Sequence, residues 1–469
     1  MAVPSALGAV LALLVAFLGL PGWAAEEDGD ELASYAVTEA PPVACAKNAE
    51  ARKKGIHVFY VHRAGEDRTA ERSPVIRRLM WDVDQQLEAG TKRLDADQSR
   101  RYQMVQDDSC RIEVTPVGVS GLAEVPRIAD IKEAVDRALM AELTLGASEE
   151  EQKEKLDEYL NGQRLMLFMD WEKTDGPGCG VGGGAGLAKS TGGWASVMRS
   201  CWNAYAVTHE LMHSFGVPHC ADGEQQGHLQ HGKDPLCGGG SSAEGAEPQC
   251  TEVNAAEMLD CAGDQFHYFH PAPEAGSALA KAPEENVANN PQLLTDVPAR
   301  PVDFRLQSRT SGLCLDRGGD GDVVQKECAD GKGSRAQVWR RTLDSDGYFR
   351  LKLVSDDRCL TLPSDERPGQ DEQVEAVAAV LAACSASEPR QQWWMRDGAG
   401  LDHTDSWLVN RVTRQNVGLE GGGKEKLAGT RLVQMKGGPG AFTPQFMATR
   451  SKGGPADSCG SKSRKPKGC

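Results

Sequence analysis

Eleven consecutive residues, His209-Glu210-Leu211-Met212-His213-Ser214-Phe215-Gly216-Val217-Pro218-His219, constrain this chain more than any other segment. On an α-helix His209 and His213 stand four apart and project from one face, so both imidazoles can reach a single ion. Glu210 points slightly round the helix, toward an ion-bound water rather than the ion. Gly216 has no Cβ and turns the chain sharply out of the helix. Pro218 stops the helix from resuming, which frees His219 to swing back as a third ligand. Three histidines leave the fourth tetrahedral position to water, the arrangement of a catalytic rather than a structural zinc site. His228 and His231 are alternatives for the third ligand, and the spacing after Gly216 favours His219.

The segment resembles the metzincin metallopeptidases, whose signature is this HExxHxxGxxH motif followed by a methionine turn. Glu257-Met258-Leu259-Asp260-Cys261 is the candidate turn, with Met258 thirty-nine residues after His219. The resemblance implies that Met258 packs beneath the zinc ligands; an ordinary core methionine is the other reading of that residue. Some metzincins carry a tyrosine two positions after the methionine. Asp260 stands there, so no tyrosine switch is expected at that position, and Tyr205 and Tyr268 are the aromatics nearby in sequence.

At 469 residues the chain exceeds one ordinary core, and more than one domain is expected. Ala6 to Leu20 is an unbroken apolar run, short for a bilayer span, with Gly22 and Ala24 at −3 and −1 of a cut before Ala25. Residues 1–24 therefore read as a signal peptide, although no Lys or Arg precedes the run; a retained membrane anchor is the alternative. All fourteen cysteines follow that cut and none forms a CxxC pair, which fits disulfides in an oxidising, extracellular compartment. A net charge of −16 argues against nucleic acid as a partner. No other segment is long and apolar enough to cross a membrane.

Residues 25–54 look like an acidic, Pro-containing leader into a zinc peptidase domain over 55–290. Ile56 to Val61 reads as a buried strand. Helices are expected near Ser73–Gly90, Ile128–Leu145 and Ser148–Leu160, with strands at Arg111–Val119 and Leu165–Trp171. The glycine-rich run Gly178–Gly186 carries no phosphate-binding pattern and reads as a flexible loop. Ser196-Val197-Met198 is the expected edge strand of the cleft, just before the zinc helix. Such strand–helix alternation suits the α/β upper half of a metzincin. Cys220 and Cys261 flank the Gly/Ser-rich insertion after His219 and are plausible disulfide partners by position; Cys45 is expected in a disulfide rather than on zinc. The start of Pro271–Pro301 reads as a closing helix, and 291–302 as a linker.

Beyond Asp303 a repeat of about fifty residues appears. The first copy has Cys314-Leu315-Asp316, Val324-Gln325, Cys328 and Gln337-Val338-Trp339. The second has Cys359-Leu360-Thr361, Cys384 and Gln391-Gln392-Trp393. The third, weaker, has Gly418-Leu419-Glu420, Val433-Gln434 and Gln445-Phe446. This pattern resembles the ricin B-type lectin domain, an all-β β-trefoil here spanning 303–449, followed by a basic tail over 450–469. The resemblance implies disulfides Cys314–Cys328 and Cys359–Cys384. It also implies that sugar is bound in the first copy by Asp316, Gln325 and Gln337. Ala336 stands where an Asn is usual, Glu327 is near the aromatic position, and Thr361 replaces the Asp of the second copy, so a scaffold or docking role for the trefoil is the competing reading.

The chain is thus expected to be a secreted Zn2+-dependent metalloendopeptidase acting on protein or peptide, with a lectin-like trefoil and a possible glycan ligand. His209, His213 and His219 would hold the metal and Glu210 would act as the base. Alternatives are a carbohydrate-binding protein with a non-proteolytic metzincin scaffold, or an amidase acting on cell-wall peptide cross-links.

Overall fold

The computed structural model describes most of residues 40–434 and the strand at 444–448; residues 1–39, 218–235, 237–258, 261–267 and 449–469, with shorter internal gaps, lie outside the described residues. The described residues of both halves fall in one compact unit. The protein is multidomain, an α/β half followed by an all-β half.

The α/β half starts with one helical turn, α1 (Ala49–Arg52), and strand β1 (Gly55–Arg63). The long helix α2 (Thr69–Leu94) follows, then β2 (Arg100–Tyr102), β3 (Val114–Val119), α3 (Ile128–Leu143) and β4 (Gln163–Met169). Strands β5 (Gly180–Gly183) and β6 (Trp194–Met198) lead into α4 (Ala204–Ser214), the helix of the histidine motif. Five strands form one sheet in the order β3-β1-β4-β6-β5, parallel except for β5, which runs antiparallel to β6. β1 is buried almost end to end because a mainly parallel sheet is covered on both faces. That burial explains why Ile56 to Val61 shows no clean alternation.

The structure departs from several expectations here. Ser196–Met198 belongs to an interior strand, and the edge strand is built from the glycine-rich run itself, over Gly180–Gly183. A run with almost no side chains carries no hydrophobic period, so its strand character was hidden. The leader is docked from Val43 onward: Cys45 is bonded to Cys110, and Gln106 takes a bond from Ala46 N at 3.1 Å while giving one to Ala44 O at 2.7 Å. The expected helix at 148–160 and the Cys220–Cys261 pair lie outside the described residues, in whole or in large part. The closing segment holds one α-helical turn, Ala278–Lys281, and two 3-10 turns, Pro283–Glu285 and Val287–Asn289. Part of the expected linker is a strand, β7 (Leu293–Thr295), paired antiparallel with β2.

The all-β half runs β8 (Val302–Ser308), β9 (Cys314–Arg317), β10 (Val323–Lys326), β11 (Trp339–Leu343), β12 (Phe349–Leu353) and β13 (Arg358–Thr361). It continues through β14 (Val377–Ala378), β15 (Val380–Ala383), β16 (Trp393–Asp397), β17 (Ser406–Asn410), β18 (Val417–Leu419), β19 (Leu432–Gln434) and β20 (Pro444–Ala448). β20 pairs with β8, Pro444 opposite Ser308 and Ala448 opposite Phe304, so the last strand closes on the first. The repeat is visible in the hydrogen bonds. Trp339 Nε1 donates to Leu315 O at 3.2 Å, and Trp393 Nε1 donates to Leu360 O at 3.0 Å, the same bond in copies one and two. Both indoles are fully buried in a common core with Leu306, Leu351, Leu408 and Leu432.

Candidate metal centre and trefoil site

Asn203 starts the motif helix: its side-chain oxygen accepts the Ala206 amide at 2.8 Å and satisfies one otherwise orphaned donor. The far end closes in a Schellman turn. Val217 N bonds Met212 O at 3.2 Å, Gly216 N bonds His213 O at 2.9 Å, and Gly216 takes φ 87°, which a Cβ would disfavour. The turn brings the Val217 carbonyl to His213 Nδ1 at 2.7 Å. A carbonyl only accepts, so Nδ1 carries the ring hydrogen and Nε2 presents its lone pair.

That Nε2 lies 3.1 Å from His209 Nε2, and the two rings are perpendicular with centroids 4.6 Å apart. Two imidazoles sharing one tetrahedral zinc, each at about 2.0–2.1 Å, place their nitrogens about that far apart. The pair therefore fits a shared ion. Among the described residues no group of three metal-binding side chains converges; His219 and Met258 lie outside them, as do His228 and His231. Glu210, one residue round the helix, is 6% exposed, and burial pushes its carboxyl up from 4.5 to about 8.

The wall beside these groups is β5. A Cβ built on Gly182 would overlap the Glu210 carbonyl oxygen and come within 2.7 Å of His213 Cβ; one on Gly180 would sit 3.1 Å from Glu210 Oε1. Only glycine lets this strand lie flush on α4. Cys179, at its start, is bonded to Cys201 in the turn before α4, which staples strand to helix. Neither the glycine wall nor this disulfide was found from sequence. Tyr205, one turn before His209, stacks near it at 6.4 Å. Tyr268 is committed elsewhere: its hydroxyl accepts Asp260 N at 2.9 Å while its own amide donates to Asp260 Oδ1 at 3.0 Å. Leu259, next to Met258, is held by Arg93, whose guanidinium donates to Leu259 O at 2.9 Å.

In the trefoil, Cys314 is bonded to Cys328 and Cys359 to Cys384, the two pairings implied by the repeat. Asp316 and Gln337 come together: Gln337 Nε2 donates to Asp316 Oδ2 at 3.0 Å. Gln325 does not join them. It faces Leu315 across the β9–β10 ladder, and side chains alternate along a strand, so it lies on the face opposite Asp316. There it is fully buried, accepting from Ser311 Oγ at 2.6 Å and donating to Leu427 O at 2.8 Å. Gln434 of copy three does the same toward Glu366 O of copy two at 2.9 Å, so these glutamines are struts between copies. The missed neighbour of Asp316 is Lys326, whose Nζ lies 3.3 Å from Oδ1. Glu420, the matching acid of copy three, is paired with Arg431 at 2.6 Å.

Residues 302–422 match the ricin-type beta-trefoil lectin domain. A lectin-type β-trefoil is part of this protein. Solved structures that resemble it include a designed three-fold symmetric protein, ThreeFoil (20% identity, 31% of this chain, 99% of that chain, TM-score 0.26). Others are a ricin B-like lectin of Macrolepiota procera in complex with lactose (14%, 31%, 95%, 0.25) and the C-half of an earthworm R-type lectin in complex with GalNAc (13%, 32%, 99%, 0.24). No curated protein matches the sequence.

Proposed function

We propose that the chain is an exported zinc-dependent metalloendopeptidase whose lectin-type trefoil binds carbohydrate. The observation that carries the catalytic part is the His209–His213 pair, with nitrogens 3.1 Å apart and the lone pair of His213 aimed by Val217 O. His209 and His213 would hold Zn2+, with His219 as third ligand. When bound, zinc would lower the pKa of a coordinated water to about 7 and polarise a substrate carbonyl. Ionised, as a neighbouring zinc would favour against its burial, Glu210 would take a proton from water and pass it to the leaving amine. Among the described residues β5 is the last strand of its sheet, and its outer edge would offer backbone donors and acceptors to an extended peptide laid beside Glu210. Among the described residues, the disulfides Cys45–Cys110, Cys179–Cys201, Cys314–Cys328 and Cys359–Cys384 support export.

In the trefoil, Asp316, fixed by Gln337, would accept sugar hydroxyls. With no stacking aromatic, affinity for a monosaccharide should be no better than about millimolar. The relatives solved with lactose and with GalNAc support carbohydrate as ligand class. A second reading is a carbohydrate-binding protein whose α/β half hydrolyses nothing; the lectin domain being the part that matches a family favours it. Digestion of casein and a peptide library, with and without a chelator, decides between the two. Chelator-sensitive, zinc-restored cleavage supports the peptidase; zinc-loaded protein that cuts nothing leaves the lectin reading. Cleavage confined to cross-linked cell-wall peptides would point to the amidase.

A further inference from the structure

A lectin module on a free tether raises local concentration and is indifferent to where the reactive bond of its partner lies. The trefoil here is fixed instead. The chain entering it is tied down as β7, with Arg100 opposite Thr295, Arg101 opposite Leu294 and Tyr102 opposite Leu293. Further on, Ala299 N donates to Glu88 Oε1 of α2 at 3.3 Å. From the trefoil itself, buried Arg341 of β11 lies between the rings of Trp81 of α2, at 5.1 Å, and Phe349 of β12, at 4.6 Å. Arg78 covers the same indole at 5.1 Å while bonded to Asp82 at 2.9 Å.

The helix that receives these contacts also touches the metal helix and the chain after Met258. Thr208, the residue before His209, donates to Gln86 Oε1 at 3.0 Å, and Arg93 holds Leu259. One rigid element, α2, therefore joins the trefoil to the metal centre.

We propose that the chain acts on glycosylated polypeptides, with a glycan on the trefoil and the polypeptide that carries it along β5, the two held at a fixed spacing by α2. The substrate class rests on the zinc-peptidase reading above. Fixed spacing selects ligands in which sugar and amide are covalently joined at a matching distance. A free oligosaccharide has no scissile amide, and a bare polypeptide gains nothing from the trefoil. The reaction needs only water: the amide C–N bond breaks, the carbonyl carbon gains hydroxyl, and the amine gains the proton.

The test uses the full zinc-loaded chain and a panel of glycoproteins ending in galactose, N-acetylglucosamine or mannose, each beside its enzymatically deglycosylated form. Wild type should cut at least one glycosylated form roughly tenfold faster in kcat/KM than its stripped partner. Arg341→Ala should bring that ratio near one while leaving the rate on stripped protein unchanged, and small-angle scattering should show a more extended particle. Trp81→Leu should act alike from the other side of the contact, which guards against a folding defect confined to the trefoil. Equal rates on every pair by wild type overturn the proposal and leave the peptidase intact. A preference that survives in an extended Arg341→Ala particle overturns the fixed-spacing argument. If nothing is cut, glycosylated or stripped, while zinc is bound, the peptidase reading falls and this one with it.

Discussion

His213 is fixed from two directions, by its own helix and by the Val217 carbonyl, while Glu210 is buried beside it. The two residues should therefore fail differently. Glu210→Gln should keep zinc, measured by elemental analysis after dialysis, and lose peptide hydrolysis by several orders of magnitude. His213→Ala should lose the metal itself. In the trefoil, Asp316→Ala should abolish glycan-array signal from the first copy; signal untouched by the change moves the site to another copy. A further titration follows from β1. Burial pushes His57 down from 6.5 to about 4, with a bond to Gln163 acting the other way. The unfolded chain takes up that proton near 6.5 and the fold does not until about 4, so stability is complete above the upper value and falls as pH drops through the window. The loss is up to about 3 kcal/mol, and urea midpoints at pH 7 and 4.5 should differ less in His57→Gln than in wild type. The facing of His209, Glu210 and His213 was legible because helical spacing alone sets it. Gln325 was misplaced because a motif match counts residues, and a count does not say which face of a strand a side chain occupies.

Among the elements, β5 decides most and announced itself least. A Cβ at Gly182 has nowhere to go, since the Glu210 carbonyl oxygen and His213 Cβ already fill the space. Gly182→Ala should push the strand off α4, lower zinc affinity at least tenfold in a competitive chelator titration, and reduce the melting temperature by several degrees. Val181→Thr, on the exposed face of the same strand, should change neither. Strands β1, β3 and β4 and helices α2 and α3 were legible because each carries enough apolar residues to show a period or a run. The glycine strand has only Val181, and its role comes from packing against Glu210 and His213 of α4, far enough along the chain that local reading does not reach them.

At the scale of the whole molecule, the two-part architecture and the trefoil's internal repeat were legible, since Cys-Leu and Gln-x-Trp recur about fifty residues apart. How the halves join was not. The segment read as a linker has a linker's composition, and its order comes from partners distant in sequence, Arg100–Tyr102 and Glu88. Removing the Cys359–Cys384 bond by a double Ser replacement should destabilise the trefoil by about 2–4 kcal/mol, seen as a lower denaturation midpoint for that half. The pinned connection carries a consequence for the lifetime of the protein. Peptidases cut chain segments that can be drawn out straight into their clefts, and the stretch between two domains is ordinarily where an enzyme nicks itself or is nicked by others. Here Leu293–Thr295 is already held in a ladder with Arg100–Tyr102, so under the proposed peptidase reading this stretch is withheld from cleavage. Stored at high concentration with zinc, it should remain one piece far longer than a variant in which Leu294→Pro has broken that ladder.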